Sequence, residues 1–317
     1  MKLLVTRRMT PDAEAAIASR FDATFRDSNV PLTKEEAAAA LADYDLIMPT
    51  LGDAFRGKAF AAATPRAKLL ANFGAGFNHI DLDAAKAAGV AVTNTPNVVT
   101  ASTAELAVTL LLMTARRAGE GERLARSGDW TGWHPTQMLG APVTGRRVGI
   151  IGMGRIGRTI AHQLHAGFAM EVVFFNRSAV SDLDFPARQL DRIEDVMEAA
   201  DFVVIAVPGS ADTHHLIGAE ALAALGPDGI IINIARGDVI DQTALIAALT
   251  AGQIRAAGLD VFEFEPEIPA ALRSLDNVVL LPHLGTAVQI TRTEMALRAL
   301  DNLVAFTEGG PLPDQVV

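Results

Sequence analysis

The sequence predicts an α/β protein with two doubly wound parallel sheets, each belonging to its own domain. Short apolar runs alternate with Ala-rich helical segments along the chain, which is typical of parallel strands joined by helical crossovers. The alternation restarts at Arg147, and 317 residues are enough for two separate cores. A glycine-rich turn follows the first strand of the second series.

Five apolar runs predict the strands of the first sheet: Lys2–Val5, Asp22–Phe25, Leu46–Pro49, Lys68–Asn72 and Val90–Thr93. Thr10-Pro11 predicts an N-cap followed by proline at the first helical position. Thr33 with Glu36 predicts a capping box. The loop Phe73–Phe77 follows the fourth strand, where open α/β sheets bind ligands. Its two glycines fit an anion-binding loop and a plain turn equally well.

The segment Asn94–Asn97 has the composition of a turn, and a long helix is predicted from Ser102 to Arg117. Six further apolar runs predict a second sheet: Val148–Ile151, Glu171–Phe175, Phe202–Val207, Gly229–Ile234, Ile254–Asp260 and Asn277–Leu281. A last helix, from about Ala287 to Phe306, is long enough to return to the first domain. We therefore expect a discontinuous domain of residues 1–98 and 286–317, with residues 99–285 inserted into it.

Composition restricts the possible classes of function. The formal net charge is -10 and no long basic run is present, which argues against nucleic-acid binding. There are no cysteines, so disulfides, thiolate nucleophiles and cysteine metal ligands are excluded. The longest apolar stretch, around Leu106–Ala115, is far shorter than the roughly 18 residues of a membrane span. We expect a soluble cytoplasmic protein with no membrane or nucleic-acid partner.

The glycine-rich turn has the spacing Gly-x-Gly-x-x-Gly between a buried strand and a helix. Gly152 would make the tight turn, Gly154 would let a pyrophosphate approach the backbone, and Gly157 would let the helix pack on the strand. The first helical N–H groups, at Arg155 and Ile156, would face the anion. This context predicts a dinucleotide-binding Rossmann domain.

The residues after the second strand of this domain bear on the choice of dinucleotide. Asn176 lies 24 residues after Gly152, about where NAD-binding folds place an acid that bonds the ribose hydroxyls. Arg177 and Ser178 follow instead, a cation and a hydroxyl suited to a 2′-phosphate. A solvated surface arginine is the other interpretation. We predict that NADPH is preferred over NADH.

An arginine, several acids and a histidine follow adjacent strands of the second sheet. Arg236 follows the fourth strand and can bind a carboxylate through two hydrogen bonds. The segment Leu259–Pro266, at the end of the fifth strand, holds Asp260, Glu263 and Glu265, and His283 follows the sixth strand. Alone, His283 would be read as a structural histidine, but beside the arginine and the acids it fits a proton donor oriented by one of these carboxylates. This set of residues predicts reduction of an anionic ketone.

Other polar and aromatic residues give weaker signals. The remaining histidines have no carboxylate at convincing ligand spacing, so we predict no metal; they are His79, His134, His162, His165, His214 and His215. Trp130 and Trp133 lie close together in a Gly-rich polar stretch, and cannot both be buried easily. A ligand or subunit contact is as consistent with them as a place in the core.

These motifs together resemble the D-isomer-specific 2-hydroxyacid dehydrogenases, and within that family the glyoxylate/hydroxypyruvate reductases. The resemblance covers essentially the whole chain and rests on four segments: Gly152–Gly157, Asn233–Asp238, Gly258–Pro266 and Pro282–Ala287. It implies a Rossmann cofactor domain inserted into a flavodoxin-like substrate domain, and reduction of small 2-keto acids to D-2-hydroxy acids. Asn78 stands where many members of the family have aspartate, a departure that we do not interpret.

The resemblance also implies roles for individual residues. Arg236 would bind the 2-keto acid, and Glu265 would pair with His283. The expected cofactor contacts outside the motifs already described are Thr103, Val207, Pro208, Thr213, Ile234, Ala235, Asp260 and Gly285. The amides of Gly74 and Ala75 would hold the substrate carboxylate.

A homodimer is also implied, with the Ser102–Arg117 region at its interface. The loop with Trp130 and Trp133 would then reach the neighbouring subunit's site and limit substrate size. Two alternatives stay open at this point: a dinucleotide-sensing module like the corepressors that share the fold, and an NAD-dependent dehydrogenase of the phosphoglycerate type.

Overall fold

The structure is a computed structural model that describes residues 1–62 and 64–317. The chain forms two compact units. Unit 1 consists of Met1–Val99 and Thr286–Val317, and unit 2 consists of Thr100–Gly285. Both contain a parallel sheet with helices, so the predicted fold class is confirmed.

The strands are β1 (Lys2–Val5), β2 (Asp22–Phe25), β3 (Leu46–Met48), β4 (Leu69–Ala71), β5 (Ala91–Thr93), β6 (Arg147–Ile151), β7 (Glu171–Phe175), β8 (Ala187–Gln189), β9 (Phe202–Ile205), β10 (Ile230–Asn233), β11 (Ala256–Leu259) and β12 (Val278–Leu280). The helices are α1 (Pro11–Ala18), α2 (Lys34–Asp43), α3 (Gly57–Ala61), α4 (Leu82–Ala87), α5 (Thr100–Ala115), α6 (Ala118–Ser127), α7 (Arg155–Phe168), α8 (Ile193–Ala199), α9 (Ala219–Leu225), α10 (Gln242–Thr250), α11 (Ala270–Arg273) and α12 (Gln289–Thr307).

The sheet of unit 1 has the strand order β2-β1-β3-β4-β5, with all pairs parallel. This is the flavodoxin-like order. Helix α12 belongs to this unit and packs on α1 and β4. The capping box of Thr33 and Glu36 is present. Thr10 is the N-cap of α1, but its hydroxyl bonds the Thr293 hydroxyl of α12 at 2.7 Å and caps no backbone amide.

The sheet of unit 2 has the order β12-β11-β10-β9-β6-β7-β8, again all parallel. The chain adds β7 and β8 on one side of β6 and then adds β9 to β12 on the other side, so the strand order reverses between β6 and β9. Ligands of such sheets bind at this switch point, beyond the carboxyl ends of the strands. Six of its strands were predicted. The seventh, β8, is a three-residue edge strand whose sequence Ala-Arg-Gln has no apolar run to mark it.

Helix α5 covers one face of this sheet, in contact with β10, β11 and β12. The contact is close at Gly258, where a Cβ atom would meet Leu110 and Ile232 at 2.8 Å. The many small and apolar residues of α5 therefore belong to the core of unit 2. No helix of the described chain is long and apolar enough to cross a membrane.

Candidate active site

The glycine-rich turn between β6 and α7 has the geometry that its spacing predicts. Gly152 adopts φ +100°, and a Cβ atom there would lie 2.9 Å from the carbonyl oxygen of Ala206. A Cβ atom at Gly157 would collide with the carbonyl oxygen of Gly152. A Cβ atom at Gly154, the N-cap of α7, would meet no atom within 4 Å. Two glycines are thus needed for packing, while the third faces open space.

The open space at Gly154 is what a phosphate-bearing cofactor needs. It lies at the N-terminus of a 14-residue helix, whose unpaired N–H groups and dipole favour an anion. Arg155 and Ile156 are the first two residues of that helix. The residues present therefore fit a dinucleotide.

Asn176, after β7, holds this turn in place. Its Oδ1 accepts a hydrogen bond from the Met153 amide at 3.2 Å, and its Nδ2 donates to the Ser178 carbonyl at 3.0 Å. Arg177 points into solvent with 92% of its side chain exposed, and its Nη1 lies 3.8 Å from Oδ2 of Asp212. Since both partners are exposed, this ion pair is weak, and the guanidinium can take another anion.

Three of the predicted cofactor contacts, Val207, Pro208 and Thr213, lie in the loop after β9. Val207 packs against Gly152. The Thr213 hydroxyl donates to the carbonyl oxygen of Pro208 at 2.8 Å and accepts from the Ser210 amide at 2.8 Å. Thr213 therefore shapes this loop through its own hydrogen bonds.

Arg236 follows β10 in a turn whose conformation is set by its neighbours Asn233 and Gly237. Nδ2 of the buried Asn233 donates to the Arg236 carbonyl at 2.9 Å, and its Oδ1 accepts from the Ala235 amide at 3.0 Å. Gly237 lies so close to the backbone of Phe262 that any Cβ atom there would collide with it. The turn therefore has a defined position against the segment after β11.

The Arg236 side chain carries a positive charge and a buried N–H group that makes no hydrogen bond to a described residue. Nη1 donates to the Ala235 carbonyl at 2.6 Å, whereas Nε is buried without a partner among the described residues. Burial lowers the pKa of Arg236, and the nearby carboxylates of Glu265 and Asp238 oppose this. A buried unpaired N–H is costly, so the guanidinium is suited to bind an anionic ligand.

His283 and Glu265 form a direct pair. Nδ1 of His283 lies 2.8 Å from Oε2 of Glu265, and the two side chains are 29% and 30% exposed. Oε1 of Glu265 accepts a hydrogen bond from the Phe262 amide at 3.0 Å, which orients the carboxylate. With Nδ1 held in this way, Nε2 is the nitrogen available for proton transfer.

The charge state of Glu265 follows from its surroundings. Burial raises its pKa, but hydrogen bonds from His283 and Phe262 and the charges of His283 and Arg236 outweigh burial, so that the pKa is lowered overall. The carboxylate is therefore ionised at neutral pH and places a negative charge beside the imidazole ring.

The loop of His283 is held by Asp260, which is buried. Its carboxylate accepts hydrogen bonds from the amides of Leu284 at 2.7 Å and Gly285 at 2.9 Å, and its carbonyl accepts from the His283 amide at 2.9 Å. Burial raises the pKa of Asp260, while the amides and His283 oppose this. His283 has φ +56°, an unfavourable conformation for this residue type, which these bonds help to maintain.

Four more predicted cofactor contacts surround this loop or precede Arg236. A Cβ atom at Gly285 would lie 3.6 Å from the Thr103 methyl group of α5 and 3.5 Å from Asp260. Ile234 and Ala235 are buried at the end of β10. These predicted cofactor contacts thus belong to four elements of unit 2: helix α5 and the segments that follow β10, β11 and β12.

The predicted anion-binding loop lies in unit 1, and one of its amides has a partner inside the loop. The Gly74 amide donates to the Asn72 carbonyl at 3.0 Å, because the chain turns sharply after β4. The amides of Ala75, Gly76 and Phe77 donate no hydrogen bond to another described residue. The carbonyl oxygens of this loop accept bonds from Nδ2 of Asn72 and Asn94. The Ala75 amide of the predicted pair is therefore open to a ligand, whereas the Gly74 amide would have to exchange its bond.

Both tryptophans lie on the surface of unit 2. Trp130 is 55% exposed and Trp133 is 79% exposed, with Leu139 nearby in sequence at 64%. Neither ring belongs to the core, so the interpretation as core residues was wrong.

Sequence reasoning missed one pairing in this region. Nε2 of His215 lies 3.0 Å from Oε1 of Glu263. The two residues are 48 positions apart, so spacing in the sequence gives no sign of the pair.

Comparison with known proteins agrees with this geometry. Residues 108–285 match the family model described as D-isomer specific 2-hydroxyacid dehydrogenase, NAD binding domain. A glyoxylate reductase of Thermococcus onnurineus is 38% identical over 320 aligned residues, which cover 99% of this chain and 95% of that protein.

Solved structures are similar over the whole chain. A putative D-isomer specific 2-hydroxyacid dehydrogenase from Polaromonas superposes with a TM-score of 0.92 at 36% identity, covering 100% of this chain and 99% of that one. An NADPH-dependent glyoxylate/hydroxypyruvate reductase from Sinorhizobium meliloti, in complex with NADP and malonate, gives a TM-score of 0.87 at 34% identity, with 100% and 96% covered.

Proposed function

The chain belongs to the D-isomer-specific 2-hydroxyacid dehydrogenase family and is an NAD(P)-dependent oxidoreductase, and from this premise we propose that it reduces glyoxylate or hydroxypyruvate to the D-2-hydroxy acid with NADPH. The observation that carries the proposal is the 2.8 Å pair of His283 and Glu265 in the same unit as the buried unpaired donor of Arg236. The names of the glyoxylate reductase relatives support the choice of substrate.

The proposed reaction assigns one task to each of these three residues. Arg236 binds the substrate carboxylate through its planar N–H groups. As the carbonyl carbon gains a hydride, the π electrons of the C=O bond move to oxygen. Nε2 of His283 gives its proton to that oxygen and becomes neutral. Glu265 stabilises the imidazolium before the transfer and keeps the ring oriented through Nδ1.

The cofactor, when bound, supplies the hydride from its reduced nicotinamide. Gly154 and the first amides of α7 would hold its pyrophosphate, for the reasons given above. Thr103, Asp260 and Gly285 would line the nicotinamide end.

We propose NADPH as the preferred form because no acid follows β7. Arg177 instead presents an exposed guanidinium whose partner is a weak surface contact at 3.8 Å. A ribose 2′-phosphate offers that guanidinium a stronger, charge-assisted partner.

The third substituent of the carbonyl carbon distinguishes one 2-keto acid from another. We propose that Trp133, and secondly Trp130, limit the space for it. A rigid ring tolerates a hydrogen or a hydroxymethyl group and excludes a longer chain.

We also propose a homodimer with α5 and its surroundings at the interface. The exposed Trp130, Trp133 and Leu139 form an apolar surface segment of a kind that marks interfaces. Sedimentation at micromolar concentration should show a dimer, and a monomer there would contradict the proposal.

The experiment is a substrate panel with both cofactors. Oxidation of NADPH and of NADH is followed with glyoxylate, hydroxypyruvate, pyruvate, phosphohydroxypyruvate and phenylpyruvate. We expect the highest kcat/KM for glyoxylate or hydroxypyruvate with NADPH. A higher kcat/KM for phosphohydroxypyruvate or phenylpyruvate would overturn the substrate assignment, and a preference for NADH would overturn the cofactor assignment.

A further inference from the structure

A second cluster of titratable side chains lies in unit 2, outside the residues to which a catalytic role is given above. We propose that His214, His215 and Glu263 form a binding site for a divalent transition metal ion of the zinc class. This inference goes beyond the proposed function and does not depend on it.

The three side chains have the spacing that a shared ion requires. Nε2 of His215 and Oε1 of Glu263 are 3.0 Å apart. Two ligands that each lie about 2.0–2.2 Å from zinc in a tetrahedral site are roughly 3.2–3.6 Å apart, so this pair needs only a small adjustment. One ligand atom from each of the three residues lies within 4.8 Å of the other two.

The backbone holds the two histidines together. Their rings stack with centroids 3.9 Å apart and an angle of 25° between the planes. His215 has φ +50°, and its amide donates to the Asp238 carbonyl at 2.7 Å. This unusual conformation places consecutive side chains side by side, whereas an extended strand would point them to opposite faces.

The segment of Glu263 reaches the histidines because the turn at Gly237 lies directly against it. That contact is possible only without a Cβ atom at Gly237. The loop after β9, the turn after β10 and the segment after β11 thus meet at one point. A site built from three separate segments is positioned by the sheet and not by a single flexible loop.

The donor set points to a class of ion. Two imidazole nitrogens and one carboxylate suit zinc, nickel and copper, whereas magnesium and calcium prefer oxygen ligands throughout. The side chains of His215 and Glu263 are 35% and 13% exposed, and His214 is exposed. Water can therefore reach the ion and complete its coordination.

The chain offers a matched control. Nδ1 of His162 lies 3.3 Å from Oδ2 of Asp184, so this is another histidine–carboxylate pair of similar separation, outside both the catalytic pair and the proposed site. Among the described residues, however, only the His214–His215–Glu263 cluster brings three such ligands within reach of one another. His162→Ala removes a histidine without touching the proposed site.

The test uses the full chain without an affinity tag, cofactor or substrate. Calorimetric titration with Zn²⁺ should give one ion per chain, and Co²⁺ should produce visible absorption bands of a protein-bound ion. His214→Ala and Glu263→Gln should each weaken Zn²⁺ binding by about ten-fold or more, whereas His162→Ala should leave it unchanged. Zn²⁺ should also raise the unfolding temperature of the wild type.

Two results would overturn the proposal. One is the lack of stoichiometric Zn²⁺ binding to the wild type. The other is binding that His214→Ala leaves within two-fold of the wild type, which would place the ion elsewhere. His214 is exposed, so its substitution should leave folding intact and decide the matter even if Glu263→Gln is unstable. Since activity is not measured, neither result bears on the proposed reduction.

Discussion

Nδ1 of His283 lies 2.8 Å from Oε2 of Glu265, although the two residues follow different strands and are 18 positions apart. Asp260 holds the loop of His283 in place, because its carboxylate accepts hydrogen bonds from the amides of Leu284 and Gly285. The Phe262 amide holds the Glu265 carboxylate by donating a hydrogen bond to it. The pair is therefore positioned by backbone groups at the ends of β11 and β12.

Glu265→Gln should change the pH dependence of turnover. The pKa of Glu265 is lowered, so its carboxylate stays ionised below the pH at which an ordinary glutamate becomes protonated. Glutamine is neutral and removes the negative charge beside the proton donor. The alkaline limb of kcat should therefore move to lower pH, because the positive charge of the proton donor loses its stabilising partner.

The measurement is the pH profile of kcat for the wild type and the variant at saturating substrate and cofactor. Asp238→Asn is a control, since Asp238 also acts on Arg236, whereas the His283 side chain has its recorded ion pair with Glu265. An alkaline limb that is the same in Glu265→Gln and the wild type would contradict the role given to this pair.

Arg177→Ala should weaken NADPH binding selectively. A charge-assisted hydrogen bond to phosphate contributes about 1.5–3 kcal/mol, or about ten- to hundred-fold in affinity. NADH lacks the 2′-phosphate, so its Kd should change little. Fluorescence titration of both cofactors measures this directly, and equal effects on the two would refute the assignment.

Asp212→Asn should have the opposite effect. Asp212 lies 3.8 Å from Arg177 and would repel a 2′-phosphate bound there. Removing one exposed charge should tighten NADPH binding by about two- to five-fold at low salt, with NADH unchanged. No change in the Kd of NADPH would show that the phosphate does not bind beside Arg177.

Gly154→Ala and Gly157→Ala should separate cofactor binding from stability. A Cβ atom at Gly154 meets no atom of the protein within 4 Å, so this variant should fold normally and bind NADPH more weakly. A Cβ atom at Gly157 collides with the Gly152 carbonyl, which should cost about 1–3 kcal/mol of stability. Thermal unfolding and NADPH titration of both variants test this, and an unstable Gly154→Ala with unchanged NADPH affinity would contradict it.

Trp133→Ala should broaden the range of substrates. The Trp133 side chain is 79% exposed, so its loss should hardly affect folding. The ratio of kcat/KM for phenylpyruvate over glyoxylate should rise, by about ten-fold if one ring sets the limit. Leu139→Ala is an exposed apolar control, and a ratio that Trp133→Ala leaves unchanged would exclude the tryptophan from substrate selection.

The sequence predicted the strands well wherever apolar residues form continuous runs. Ile230–Asn233 and Phe202–Ile205 are buried on both faces, so their composition alone identifies them. Edge strand β8 was missed because an edge position needs few apolar residues. The hydrogen bond between the hydroxyls of Thr10 and Thr293 could not be predicted from the sequence either, because it joins residues 283 positions apart.

The site was predictable to the extent that its residues directly follow strands. Arg236, Glu265 and His283 follow the carboxyl ends of neighbouring parallel strands, so the sequence predicted that they lie on the same side of the sheet. The distances between their side chains could be learned only from the structure. The internal bond of the Gly74 amide depends on how sharply the chain turns after β4, which composition does not show. The contact of His215 with Glu263 depends on the packing of three loops, so sequence spacing had predicted no metal ligands there.

The rate of NADPH oxidation by His283→Ala with glyoxylate or hydroxypyruvate tests the central claim most directly. Because alanine can neither donate a proton nor pair with Glu265, kcat should fall by about 100-fold or more. NADPH should still bind with a Kd near that of the wild type, measured by the same fluorescence titration. A kcat within a few-fold of the wild type would contradict the assignment of His283 as the proton donor.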